Sequence, residues 1–107
     1  MKKAEAAAGC ADKLKVLSDV TRLFVLEELL AGPRTVTELN ALLRIEQSLL
    51  SHHLRVLREA GLVETTRDGK AIRYAIAPEA KAQETGKALE LGCCRISFEG
   101  LPKRRRS

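Results

Sequence analysis

The sequence predicts one mainly α-helical domain with a single β-hairpin between its fourth and fifth helices, in the order α-α-α-α-β-β-α. Three observations support this fold class. Apolar residues recur at helical spacing through residues 5–58, Thr35 and Glu38 form a capping box, and two β-prone runs flank Asp68-Gly69. Because 45% of the 107 residues are hydrophobic, we expect residues 1–101 to fold as one domain with a modest core.

The first two helices follow from stripes of apolar or small residues. Residues 5–17 form the first, whose stripe consists of Ala7, Cys10, Leu14 and Leu17. Asp19 is a suitable N-cap for the second helix, and Gly32-Pro33 ends it because proline cannot continue a helix. Its apolar side carries Leu23, Leu26, Leu29 and Leu30.

The third and fourth helices are short and closely joined. The third begins at the capping box, where Thr35 and Glu38 can satisfy free backbone amides, and continues with three leucines. The fourth covers residues 47–58 and carries Leu50, Leu54 and Leu57 on one face. Its other face is polar, with Gln47, Ser48, Ser51, His52 and Arg55.

The remaining elements are a hairpin and a last helix. Residues 62–67 and 70–76 are β-prone, and Asp68-Gly69 between them favours a two-residue turn. Pro78 then suits the first turn of a fifth helix. Its apolar or small residues repeat at intervals of four and three, the pattern of a seam between helices: Ala82, Gly86, Leu89, Cys93 and Ile96.

This order of elements is that of a winged helix-turn-helix, which predicts DNA binding through the fourth helix and the hairpin. Gln47 can donate to and accept from an adenine edge, and Arg55 can hold the phosphate backbone. Ser48, Ser51 and His52 can reach bases or phosphates. Arg67, Lys70 and Arg73 would give the wing a cationic tip beside the duplex.

Composition bounds the function further. Four of the five net positive charges come from residues 103–106, so we expect residues 102–107 to be a disordered basic tail, and net charge alone does not indicate DNA.

No apolar stretch predicts a membrane span or a signal peptide, which favours a cytoplasmic protein without a membrane partner. No glycine-rich nucleotide loop or assembled nucleophile appears, so we expect neither an enzyme nor an organic cofactor. A winged helix that binds RNA or protein remains an alternative.

Four segments between residues 14 and 76 carry a resemblance to a known family: LKVLSDVTRLFVLEELL, TVTELNALL, QSLLSHHLRVLREAGLV and TTRDGKAIRYAI. They resemble the arsenic-repressor (ArsR/SmtB) group of bacterial metal-responsive repressors. The resemblance implies a homodimer that binds double-stranded operator DNA, releases it when an inducer binds, and pairs its first and last helices at the dimer interface. It also implies DNA contacts at Gln47, Ser48, Ser51 and His52. Glu46 and Leu49 depart from the family pattern, which has a small and a polar residue there.

The three cysteines, Cys10, Cys93 and Cys94, all fall on the two helices that the resemblance brings together. Cys10 and Cys93 can pack as small hydrophobic residues, but Cys94 lies off the seam, where packing explains it poorly. The metal ligands usual in the family, a Cys-x-Cys pair in the third or fourth helix and His on the last, are absent. Three thiolates without a fourth ligand suit arsenite or antimonite better than zinc. We therefore predict a metalloid inducer site.

Two alternatives stay open for these cysteines. They can form a thiol redox or persulfide sensor, in which Cys10 is the natural disulfide partner because adjacent cysteines rarely bridge each other. Cadmium, lead or bismuth can also take sulfur ligands. The sequence leaves open whether Cys10 joins Cys93 and Cys94 within one chain or across a dimer.

Overall fold

The computed structural model describes residues 3–82 and 87–98, with side chains from residue 7 onward. Its helices are α1 (Lys3–Leu17), α2 (Val20–Ala31), α3 (Val36–Leu43) and α4 (Gln47–Glu59). Its strands are β1 (Arg34–Thr35), β2 (Val63–Asp68), β3 (Ala71–Ile76), β4 (Ala88–Glu90) and β5 (Arg95–Ser97). The predicted basic tail, residues 102–107, lies outside the described residues, as does the predicted domain boundary at residue 101. None of the described helices combines the length and the hydropathy that a membrane span requires.

The helix boundaries follow from local hydrogen bonds. Asp19 accepts from the Arg22 amide at 3.0 Å and so caps α2. At the start of α3, the Glu38 amide donates to the Thr35 hydroxyl at 3.2 Å, and the Thr35 amide donates to Glu38 at 2.8 Å. The predicted capping box is therefore confirmed. Arg44 ends α3 in the left-handed region, at φ 56°, and this reverses the chain before α4.

The predicted hairpin is confirmed as β2 and β3, which pair antiparallel with Thr65 opposite Tyr74. Gly69 takes a positive φ of 65° in the turn, a conformation that glycine adopts without strain. On its other side β3 pairs with β1, giving a three-stranded sheet in the order β1-β3-β2. The sheet places the tip of the hairpin at the end of the domain as a wing.

One hydrophobic core joins the helices to the strands. Eight of its leucines have 2% or less of their surface exposed: Leu26, Leu29, Leu39, Leu50, Leu54, Leu57, Leu62 and Leu89. Each such side chain stabilises the fold by about 1.5–3 kcal/mol relative to exposure. Leu89 and Leu91, from the end of the described chain, belong to the same core. The core therefore fixes α4 against α2, α3 and the wing.

The predicted fifth helix is wrong for the described part of residues 78–98. Pro78–Ala80 forms one turn of 3-10 helix, and β4 and β5 form an antiparallel hairpin in which Leu89 lies opposite Ile96. Leu89 and Ile96 are seven residues apart, so this one pair fits both a helix seam and the hairpin. Gly92, at φ 88°, favours the turn and disfavours a helix. Residues 83–86 of the predicted helix lie outside the described residues.

Candidate nucleic-acid interface and metal centre

The outer face of α4 is open to solvent. Gln47, Ser51 and Arg55, four residues apart, form one exposed row, and His52 is exposed beside it. The opposite face is anchored by buried leucines, so the polar row cannot turn inward without breaking the core. A helix held in this way can present side chains to the major groove of a duplex.

Ser48 is also exposed, but its hydroxyl has an intramolecular partner. It donates to the carboxylate of Glu46, which also accepts from the Leu49 amide at 3.2 Å. The hydrogen bond from Ser48 is the main reason that the pKa of Glu46 lies below its usual range. A carboxylate thus caps α4 at the positive end of the helix dipole, and Ser48 keeps an oxygen that can accept from a ligand.

The three cationic residues predicted for the wing differ in their exposure and in their partners. Arg67 and Lys70 are exposed near its tip. Arg73 is half-buried, donates to Asp68 at 3.0 Å, and lies 3.7 Å from Glu38. The hydrogen bond to Asp68 is the largest cause that raises the pKa of Arg73. Arg73 therefore links the wing to α3, which leaves Arg67 and Lys70 as the more accessible cations of this set.

His53 lies on the inner face of α4, in contrast to His52. It is buried, and its Nδ1 accepts from Nε of Arg22 at 3.0 Å. Burial is the main cause that lowers the pKa of His53, so the neutral imidazole is favoured. His53 is therefore a packed residue of the inner face. Its partner was not foreseen, because Arg22 lies 31 residues away and no periodic pattern connects the two.

The structure brings Cys10, Cys93 and Cys94 together within one chain. Their sulfur atoms all lie within 4.8 Å of one another. Cys10 comes from α1, whereas Cys93 and Cys94 come from the turn between β4 and β5. Cys10 and Cys93 are joined as a disulfide across 83 residues of sequence, and Sγ of Cys94 lies 3.8 Å from that of Cys93. We call these three residues the sulfur cluster.

Polar contacts hold the turn that presents two of the sulfurs. Glu90 accepts from the Gly92 amide at 3.0 Å and from Arg95 at 3.1 Å. The amide of Gly92 is the main cause that lowers the pKa of Glu90, so this carboxylate is charged at neutral pH. Lys13 of α1 donates to the carbonyl of Leu91 at 3.4 Å, which ties α1 to the same turn.

The donor set fits a soft ion with three sulfur ligands. The Sγ atoms of Cys93 and Cys94 are 3.8 Å apart, which is close enough for both sulfurs to bind one ion. Cys94 is a free thiol in this structure, and reduction of the Cys10–Cys93 disulfide would supply the other two thiolates. Among the side chains that the structure describes, those of residues 7–82 and 87–98, no His, Asp or Glu joins the three sulfurs to make a fourth ligand. The burial of the two adjacent cysteines is the reverse of the expectation: Cys94 is half-buried and packs against the hydrophobic core, whereas Cys93 is exposed, so a ligand can reach the cluster from solvent.

Comparison with known proteins gives consistent similarities. Residues 19–65 match the family model described as bacterial regulatory protein, arsR family. The HTH-type transcriptional regulator NmtR of Mycobacterium tuberculosis is 44% identical over 72 residues, which cover 67% of this chain but only 60% of that protein. A probable mercury resistance operon repressor of Streptomyces lividans is 36% identical over 95 residues, covering 80% of this chain and 76% of the relative.

A solved structure has the same fold. It is an NMR structure of a homodimeric winged helix-turn-helix DNA-binding domain from Mycobacterium bovis, described as a possible ArsR-family transcriptional regulator. It is 32% identical in sequence with a TM-score of 0.67, and the match covers 73% of this chain and 72% of that one. This similarity confirms the predicted winged helix-turn-helix.

Proposed function

This chain belongs to the arsR family of bacterial regulatory proteins, and from that premise we propose that it is a dimeric repressor whose operator DNA is released when a soft metalloid ion binds Cys10, Cys93 and Cys94. The observation that carries the proposal is the sulfur cluster itself. Its members come from opposite ends of the chain, yet all three sulfurs lie within 4.8 Å of one another in a single subunit. Packing alone does not require the exposed Cys93 at this place.

Arsenite or antimonite is the inducer that the donor set favours. A trivalent metalloid accepts three sulfur ligands in a pyramid, whereas zinc usually takes four donors. Cadmium, lead and bismuth are also soft enough to bind sulfur and form the comparison set. The Streptomyces lividans relative is named for mercury, another ion that binds thiolates, which supports the class of ion and leaves its identity to experiment.

The DNA-binding surface would consist of α4 and the wing. The contacts proposed are Gln47, Ser48, Ser51, His52 and Arg55 on α4, with Arg67, Lys70 and Arg73 on the wing. Because one module buries little DNA surface, we propose a homodimer that binds half-sites about 34 Å apart. The Mycobacterium bovis neighbour, which is homodimeric, supports this assembly.

Ion binding would act through a coupling free energy between the two sites. The ion draws α1 and the β4–β5 turn into one fixed arrangement, and that arrangement would disfavour the geometry in which α4 meets DNA. A hundredfold loss of DNA affinity requires about 2.7 kcal/mol of coupling. The coupling is reciprocal, so bound DNA would weaken ion binding by the same factor.

A fluorescence-anisotropy titration tests the ion proposal. Reduced protein is bound to a labelled palindromic duplex, selected by this protein from a random library, and is then challenged with arsenite, antimonite, cadmium or zinc. We expect arsenite to release the wild type and to have little effect on Cys10→Ser, Cys93→Ser or Cys94→Ser. If arsenite releases Cys93→Ser from the duplex as readily as it releases the wild type, the sulfur cluster is not the site of ion sensing.

A second titration tests the DNA surface. Gln47→Ala and His52→Ala should weaken binding of the duplex while the thermal unfolding of the protein stays unchanged, and Arg55→Ala should reduce the slope of log affinity against log salt by about 1. Lys15→Ala, which removes an exposed cation from α1, is the matched control and should keep wild-type affinity. Unchanged affinity of the Gln47 and His52 variants at fixed salt would contradict the assignment of α4.

One observation favours a second candidate function, a thiol redox or persulfide sensor. Cys10 and Cys93 are bonded in this structure, and oxidation of two thiols by a small disulfide would give this bond and two small thiols. The two candidates differ at Cys94. A disulfide switch needs only Cys10 and Cys93, so Cys94→Ser would still respond to an oxidant. An ion site needs all three sulfurs, so the same variant would lose its response to arsenite.

A further inference from the structure

Arg22 connects the helix that carries Cys10 to the helix proposed to bind DNA. It lies in the first turn of α2 and is half-buried. Its Nε donates to Nδ1 of His53 on α4 at 3.0 Å, and its Nη1 donates to the carbonyl of Val16 on α1 at 3.2 Å. One guanidinium group therefore spans two helices whose relative position the proposed ion would change.

The backbone of Arg22, from which the side chain extends toward α1 and α4, is held in place. The Arg22 amide donates to the Asp19 side chain at 3.0 Å, so the backbone from which the side chain extends is part of the N-cap of α2. That amide is also the main cause that lowers the pKa of Asp19, whose carboxylate therefore stays charged next to Arg22 and His53. With its backbone held in this way, the guanidinium can follow only small movements of either helix without losing a hydrogen bond.

At one end of the bridge, α1 provides a rigid connection to the sulfur cluster. Cys10 precedes Val16 by six residues in the same helix, a rise of about 9 Å. A displacement of Cys10 toward the β4–β5 turn would carry the Val16 carbonyl with it, because the helix moves as a unit. The acceptor of Nη1 then shifts relative to α2.

At the other end, His53 is adjacent to a proposed DNA contact. The ring centroids of His52 and His53 are 5.6 Å apart, with His52 exposed on the outer side of α4 and His53 buried on the inner side. His53 accepts through Nδ1, which requires a neutral ring with its proton on Nε2. A change at Arg22 would therefore act on His53, the inner neighbour of the exposed His52 on α4.

We propose that Arg22 is a positioning residue that transmits ion binding at the sulfur cluster to α4, through its paired hydrogen bonds to Val16 and His53. The inference rests on the proposed function and adds the route of its regulation. Arginine suits this role because its planar group carries several donors in a fixed fork, whereas a lysine ammonium is a single compact head on a flexible stem. Lysine keeps the charge but cannot hold both acceptors in the same geometry.

The test compares Arg22→Lys with Arg34→Lys in the reduced full-length protein. Arg34 is also half-buried, and its partner Glu28 lies on α2, so the control makes the same chemical change without bridging α1 and α4. DNA affinity is measured by anisotropy with and without arsenite. Arsenite affinity is measured without DNA from the ultraviolet absorption of the sulfur–arsenic bonds.

We expect wild type and Arg34→Lys to lose about 100-fold in DNA affinity on arsenite binding, and Arg22→Lys to lose less than about 10-fold. Arsenite affinity without DNA should be the same in all three proteins, which a merely structural defect would not produce. If arsenite lowers the DNA affinity of Arg22→Lys as much as that of the wild type, the role of Arg22 is overturned. A wild type that binds arsenite but keeps its DNA would overturn the proposed function, and the route with it.

A measurement on wild-type protein keeps the proposal testable if Arg22→Lys does not fold. The nitrogen-15 shift of His53 Nδ1 reports whether this atom accepts a hydrogen bond. We expect arsenite to change that shift in the absence of DNA, while Cys94→Ser shows no change under the same conditions. An unchanged His53 signal in arsenite-loaded wild type would contradict the route through Arg22.

Discussion

The DNA-facing half of the molecule and its sulfur-bearing end are held together by different forces. Helices α2, α3 and α4 pack through leucines with almost no exposed surface, and the wing joins the same core. The β4–β5 hairpin adds Leu89 and Leu91 to that core, and it is also tied to α1 by the Cys10–Cys93 bond and by a hydrogen bond from Lys13.

This difference shows which contacts of the molecule can change with redox state or with a bound ion. Apolar burial depends little on redox state or on ions, so the leucine core keeps α4 and the wing packed together, and a change at the sulfur cluster would alter their position relative to α1. By contrast, the oxidant, reductant or ion present decides whether the cysteines form a disulfide or bind an ion. The variable contacts thus lie between α1 and the terminal hairpin, and the constant ones lie behind the DNA-facing surface.

The largest effect should come from breaking the leucine core. Leu54 is fully buried, and Leu54→Ala should lower the free energy of unfolding by about 2–5 kcal/mol, because it removes apolar contacts and leaves a cavity. Leu49 lies on the same helix with 46% of its surface exposed, and Leu49→Ala should change the free energy by no more than about 0.5 kcal/mol. Urea unfolding measures both. Equal costs for the two variants would contradict the burial of Leu54 in the leucine core.

A somewhat smaller effect should follow reduction of the Cys10–Cys93 bond. The bond closes a segment of 83 residues, and its loss should lower the free energy of unfolding by about 2–4 kcal/mol because the unfolded chain gains freedom. Urea unfolding with and without a phosphine reductant measures the difference. Cys94→Ser keeps the bond and should show the same difference, whereas Cys10→Ser should show none. A wild type that is equally stable in both conditions would contradict a bond that ties the two ends together.

Removing one local cap should cost less again. Thr35→Ala removes the hydroxyl that accepts from the Glu38 amide and should lower the free energy of unfolding by about 1 kcal/mol. Thr37→Ala, an exposed position inside α3, is the matched control and should be neutral or slightly stabilising because alanine favours helices. If thermal unfolding shows that both variants lose the same stability, the capping box does not hold the start of α3.

The smallest effect should be a dependence of stability on pH from His53. Its pKa is lowered in the folded protein, so the folded state binds fewer protons than the unfolded state, and stability should fall as pH drops below the ordinary value of 6.5. Asp19, whose pKa is also lowered, contributes stability that is lost only below its ordinary value of 3.8, so the two pH ranges are separate.

Thermal unfolding between pH 7.5 and pH 5 measures the effect of His53. His53→Gln should flatten the dependence over this range, and His52→Gln should retain it, since His52 is exposed. A flat profile in the wild type would contradict a buried neutral imidazole that accepts from Arg22.

Local patterns predicted the DNA-facing half well. The Thr35 capping box, the turn at Gly69 and the leucine periodicity of α4 each depend on neighbouring residues, and all appear in the structure. The addition of β1 to the sheet and the hydrogen bond from Arg22 to His53 were not predicted, because both join residues that are far apart in sequence. Arg73 was predicted as a DNA contact from its charge, and its carboxylate partners became visible only in three dimensions.

The sulfur-bearing end was predicted less well. The proximity of the three cysteines was expected from two terminal helices meeting at a dimer interface, whereas the structure produces it within one chain through the turn at Gly92. The seven-residue spacing of Leu89 and Ile96 fits both a helix seam and this hairpin, so that pair could not separate the two structures. The residue type was more informative than the apolar pattern here, because the sequence has three cysteines and all three lie in the sulfur cluster.

The most direct measurement is X-ray absorption at the arsenic edge on reduced protein loaded with one equivalent of arsenite. The proposed site predicts three sulfur neighbours around each arsenic in the wild type, and two in Cys10→Ser. Fewer than three sulfurs in the wild type, or three in Cys10→Ser, would contradict a site built from Cys10, Cys93 and Cys94 of one chain.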